Sequence, residues 1–147
     1  MIENIVDNGI LLAIIVSHDH DAKGIQFFTP NDFSQQLAYM HHPVGKLIEP
    51  HVHNRVTREV HYTQEVLFIK RGKVRVDFYR EDQAYLDSRV LVVGDVLLLA
   101  TGGHGFEVME ELEMIEVKQG PYAGDLDKTR FKGVSTPDIV MKDRPRG

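Results

Sequence analysis

Apolar residues along this chain come in short runs or in strict alternation with polar ones, and Gly, Pro, Asn or Asp interrupts them every few residues. Few windows keep the helical period for more than two turns, so the pattern predicts strands. They are expected at 10–17, 24–28, 36–41, 46–53, 57–70, 73–79, 89–93, 96–99, 105–109 and 114–118. Lys70-Arg71-Gly72-Lys73 separates two alternating runs and supplies a Gly where a tight hairpin wants positive φ. Gly94-Asp95 reads as another tight turn and Glu81-Asp82-Gln83-Ala84 as a longer polar loop. Asn31 to Gln36 has room for one helical turn capped by Asn31. Many strands joined by short turns predict an all-β sandwich or barrel.

The alternation also says which side chains face inward. Val74, Val76 and Phe78 alternate with Arg75, Asp77 and Tyr79, marking an inward face and a wet one. Glu65 has the parity of Leu67 and Ile69, so a carboxylate falls on an apolar face, where it is costly unless paired or metal-bound. His51 and His53 stand two apart, the spacing that points both imidazoles to one side of a strand. His104 follows a glycine turn and shares the parity of Phe106 and Val108. His51, His53, Glu65 and His104 together offer three nitrogens and one oxygen, a donor set suited to a divalent metal.

The remaining histidines read differently. His18 and His20 sit among acids before Gly24, as in a solvated turn, and His41 and His42 point to opposite sides of any strand. A strand through Glu65 that extends backwards puts His61 and Thr63 on its inward face, and makes His61 and Tyr62 candidates for proton transfer; the alternative is an exposed hairpin. Arg55, Arg58 and Tyr62 fit either contact with an anionic substrate or simple solubilisation of an edge. Thr101-Gly102-Gly103 lacks the Lys-Ser/Thr and the helix of a phosphate loop. Residues 119–140 read as a segment closing over the barrel, with Tyr122 at its rim, and 141–147 as a frayed tail.

Composition narrows the picture. A chain of 147 residues, 42% hydrophobic and 27% charged, is expected to form one domain, 1–147, with a proper core. The formal charge of −5, with Lys and Arg dispersed, leaves no basic stripe for nucleic acid. The apolar run 10–16 is too short to span a bilayer, so no membrane association is expected. The chain has no cysteine, so a metal must be held by nitrogen and oxygen, and the composition suits the cytoplasm.

These residues resemble the two signature motifs of the cupin superfamily of small β-barrels. Gly45, five residues, His51-Val52-His53, then Glu65, six residues and Gly72 follow the first motif, with 54–64 as a longer spacer than the family's. Gly94-Asp95, Gly102 and His104 follow the second, with Ala100 and Val108 where the family has proline and asparagine. The resemblance covers 45–118 and implies a double-stranded β-helix (jelly-roll) barrel in which His51, His53, Glu65 and His104 bind iron, manganese, zinc or nickel. It implies a small polar oxygenated substrate, such as a sugar or nucleotide-sugar, and isomerase or epimerase chemistry, with a dioxygenase or a non-catalytic sugar- or acid-binding barrel as alternatives. A homodimer is also implied, with Val66, Phe68, Leu98 and the 109–117 strand at its interface or, equally, in the core.

Overall fold

A computed structural model describes residues 1–144. The chain folds into eight strands: β1 (Ile2–Asp7), β2 (Ile10–Val16), β3 (Gly24–Phe27), β4 (Ala38–His41), β5 (Glu65–Tyr79), β6 (Tyr85–Val92), β7 (Val96–Leu99) and β8 (Gly103–Lys118). Two short 3-10 turns, Gly124–Asp127 and Thr136–Asp138, complete the regular structure. Two compact units result, one of Met1–His20 with the chain from Tyr62 onwards, the other of Asp21–His61. The fold is nearly all β, as the alternation predicted, and the larger unit is a curled antiparallel sheet. No helix of the described residues is long and apolar enough to cross a membrane.

In the larger unit the strands run β1-β2-β7-β5-β6, with β8 also paired to β5. The length of β5 organises this sheet. Its first half lies between β7 (Glu65↔Leu99 to Phe68↔Val96) and the end of β8, and its second half between β6 and the start of β8. Leu67, Ile69, Val74, Val76 and Phe78 of β5 are buried with Leu97 and Leu99 of β7 and Leu12 and Ile15 of β2. Each such side chain contributes roughly 1.5–3 kcal/mol of burial free energy.

Inward parity therefore changes from odd (67, 69) to even (74, 76, 78) within one strand, which requires an extra residue between the two halves. That residue lies around Gly72. Instead of turning a hairpin, Gly72 sits at φ +83° in a bulged stretch, with register shifts against β8 between Ile69 and Val74. A bulge wants the same positive φ as a hairpin turn, which is why the sequence signal is shared. The expected strands at 57–70 and 73–79 thus become the single β5, and those at 105–109 and 114–118 the single β8.

Residues 46–53 and 57–64 lie outside strands, and 31–36 form bends and turns without a helix. β1 was not foreseen; its pairing with β2 follows from the Asn8-Gly9 turn, with both residues at positive φ. Of the terminal segment expected to fray, residues to 144 are held: Met141 bridges Ser88, Lys142 Nζ lies 2.6 Å from Asp87, and Arg144 pairs with Asp95. Residues 145–147 lie outside the described part. The smaller unit contains the β3–β4 hairpin, Gly24↔His41 to Phe27↔Ala38.

Candidate functional site

Glu65 opens β5 and His104 lies at the start of β8. In the β5–β8 ribbon Glu65 pairs with Lys118 and His104 with Phe78, so the two residues stand at opposite ends. β7 brings them together. Leu99 pairs with Glu65, and only Ala100, Thr101 and Gly102 separate it from the start of β8, so the sheet curls until His104 faces Glu65. His104 Nε2 stands 3.4 Å from Glu65 Oε2, with the carboxylate largely shielded and the imidazole partly open. The bond from His104 holds the Glu65 carboxyl below the usual carboxylate range against the opposing effect of its burial, with help from Lys118 and Lys128. The inward parity of Glu65 and its need for a partner were thus readable from the sequence.

The pair opens onto a cavity of about 940 Å³. Two walls of that cavity come from residues assigned by alternation to the wet face. Asp77 and Tyr79 are 6% and 4% exposed, and the chain after β8 returns to cover Tyr79. Phe131 packs edge-on against Tyr79 at 5.0 Å between ring centroids, and the Val134 N–H donates to the Tyr79 hydroxyl at 3.0 Å. Gly103 leaves room for this cover, since a Cβ there would come within 2.9 Å of Phe131. Asp77 receives two bonds from Arg75 at 2.8 and 3.0 Å and another from the Ser88 hydroxyl. No periodicity signals such long-range cover; the nearest hint in the sequence is the pair of glycines, 102 and 103, before His104.

His51 and His53 belong to the smaller unit, in an exposed extended stretch. Their rings lie edge to face at 5.3 Å between centroids, and His51 Nδ1 is 3.1 Å from the Glu49 carbonyl, which leaves Nε2 available to a ligand. The four expected metal ligands are therefore assembled as two pairs, each described within its own unit. Among the described residues no group of three or more His, Asp or Glu side chains gathers at one point. The donor chemistry of each pair fits a divalent metal: an ionised carboxylate beside an imidazole, and two imidazoles side by side.

Of the candidate proton carriers, Tyr62 lines the cavity and is 60% exposed. His61 is an exposed residue of the smaller unit, with Nε2 3.7 Å from Glu59. His18 binds Asp95 through its backbone N–H at 2.9 Å, and His41 lies 3.2 Å from Asp21. Leu98 is fully buried and belongs to the core, whereas Phe68, Ile115 and Val117 are exposed on the outer face of the β5–β8 ribbon. Tyr122 is highly exposed, with Lys118 Nζ 6.0 Å from its ring centroid.

No family model matches the chain, and neither a curated protein nor a solved structure matches it.

Proposed function

We propose that the chain is a metal-dependent barrel enzyme of cupin type, acting on a small polar oxygenated substrate with isomerase- or epimerase-like chemistry. The observation that carries this reading is the Glu65–His104 pair, a shielded carboxylate against an imidazole at the wall of a cavity sized for a small molecule. In this reading Glu65 and His104 would be ligands to iron, manganese, zinc or nickel, the role that the cupin resemblance also implies for His51 and His53. The metal would supply Lewis-acid polarisation of a substrate oxygen. The chain's own residues would do the rest: Tyr62 at the cavity exchanges protons with substrate, Asp77 and Tyr79 shape the cavity wall, and the cover over Tyr79 excludes water.

The direct Glu65–His104 contact favours a second reading, a metal-free acid/base barrel in which the carboxylate orients the imidazole. Elemental analysis of tag-free protein separates the two, run beside His51→Ala and His104→Ala variants and a chelator-stripped, reconstituted sample. Near-stoichiometric metal lost in both variants supports the first reading. No metal after reconstitution leaves the second. The exposed cross-strand pair Phe68–Ile115 and the exposed Val117, opposite the half-buried Val66, support a homodimer through that face, to be checked by light scattering.

A further inference from the structure

The stretch 127–131 lines the cavity between two fixed points. At one end the Thr63 hydroxyl donates to the Asp127 carboxylate, and Thr63 stands two residues before Glu65. At the other, Phe131 packs on Tyr79 and against Gly103, the neighbour of His104. Both anchors lie in the unit that holds the cavity. The three residues slung between them, Lys128, Thr129 and Arg130, all line the cavity.

Two cations thus line the cavity that holds the Glu65–His104 pair, and neither is strongly engaged by the protein. Among the described residues Arg130 pairs with Asp125 alone, at 3.7 Å with both side chains well exposed, a pairing of small energetic weight. Lys128 makes no ion pair within 4.0 Å among the described residues. Of the cavity carboxylates, Asp77 is held by Arg75 and Glu65 by His104, whereas Asp127 takes a neutral hydroxyl from Thr63 and Glu81 has no ion pair among the described residues. The positive charge available to a ligand is therefore local to the span, at Lys128 and Arg130.

We propose that Lys128 and Arg130 form an oxyanion-binding rim, so that the molecule entering this cavity carries a carboxylate or phosphate next to the hydroxyl or carbonyl oxygens presented to Glu65 and His104. This deepens the proposed function and rests on its reading of the cavity as the substrate site. A planar guanidinium and a mobile ammonium on one short span suit either anion.

The test is an amide chemical-shift titration of the full chain with malate, glycerol 3-phosphate and glycerol, for wild type, the Lys128→Gln/Arg130→Gln double variant and the charge-keeping Lys128→Arg/Arg130→Lys variant. Malate or glycerol 3-phosphate is expected to shift resonances of Gly103, His104 and Thr129, and whichever binds identifies the anion. Glycerol at the same concentration leaves them in place. The double Gln variant is expected to weaken anion binding at least tenfold and the charge-keeping variant less than threefold. The proposal is overturned if neither anion binds, if glycerol binds as well as the anions, or if the Gln variant binds them unchanged. Metal uptake measured on the same samples separates the two levels: loss of anion binding with metal uptake intact supports the rim, and wild type that takes up no metal but binds the anions sinks only the metal reading.

Discussion

His104 Nε2 on β8 meets Glu65 Oε2 on β5 at 3.4 Å, although in the ribbon that joins these strands the first pairs with Phe78 and the second with Lys118. The contact is therefore a measure of how far the sheet curls, and its chemistry can be separated from its shape. Glu65→Gln keeps the side chain's size and removes its charge. If Glu65 is a metal ligand, the variant is expected to bind metal at least tenfold more weakly, about 1.4 kcal/mol, in competition with a chelating dye. Unchanged affinity would remove Glu65 from the ligand set and leave the imidazole–carboxylate pair as an acid/base element.

Gly72 offers a test of the bulge that bends β5. A Cβ there would stand 2.0 Å from the Glu111 carbonyl oxygen and 2.7 Å from its carbon, both backbone atoms with nowhere to go, and φ is +83°. Gly72→Ala is expected to cost at least about 2 kcal/mol in urea unfolding, combining left-handed strain with a backbone clash. Gly9→Ala, at a similar φ of +80° but with nothing within 4 Å, is expected to cost only about 1 kcal/mol. Equal costs for the two would show that β8 yields at Glu111 and that the bulge is not tightly packed.

The difference between these glycines also explains what could be read in the sequence. Val96–Leu99 and Ile10–Val16 are strands wherever they are placed, because short runs of Ile, Leu and Val bounded by turn residues have few other folds open to them. Glu65 was legible for a related reason: a lone acid at inward parity needs a partner, and a histidine at the inward start of another strand can supply one. Gly72 was ambiguous because hairpins and bulges ask for the same φ, and only the switch from Ile69 to Val74 as inward residues tells them apart. Asp77 and Tyr79 could not be read at all. Tyr79 is covered by Phe131 and Val134, far along the chain, and Asp77 is engaged by Arg75 and by Ser88 of β6; contacts from other segments leave no local period.

Asp95 should make stability depend on pH in acid. It is fully buried, which raises its carboxyl pKa, but bonds from Arg144 and from the Val92 and His18 N–H groups outweigh the burial and hold it below the ordinary 3.8. A depressed folded pKa means that the stabilisation is fully present above the unfolded value of about 3.9 and is lost as pH falls through the folded one. Asp95→Asn is therefore expected to destabilise the protein by about 2–3 kcal/mol at pH 7 and to flatten the stability curve below about pH 4. Urea midpoints of both proteins at pH 3 and pH 7 give the result; a variant curve parallel to wild type would mean the carboxylate charge is not what these donors hold.

The span 127–131 has two anchors of different chemistry, and they should fail separately. Thr63→Val removes the hydroxyl that reaches Asp127 but leaves the apolar bulk, so global stability should change by less than about 0.5 kcal/mol. Phe131→Ala removes a partly buried ring from Tyr79 and Gly103, and should cost about 1–2 kcal/mol. In native-state hydrogen exchange the first variant is expected to speed exchange at 127–129 and the second at 131–134, while Leu67, Val76 and Leu97 in the core keep their protection. The double variant should loosen the whole span, with costs that add, since the anchors share no partner. Exchange that spreads from either single variant into β5 would instead make the span part of the core's cooperative unit, and would count against its behaving as a separate rim over the Glu65–His104 pair.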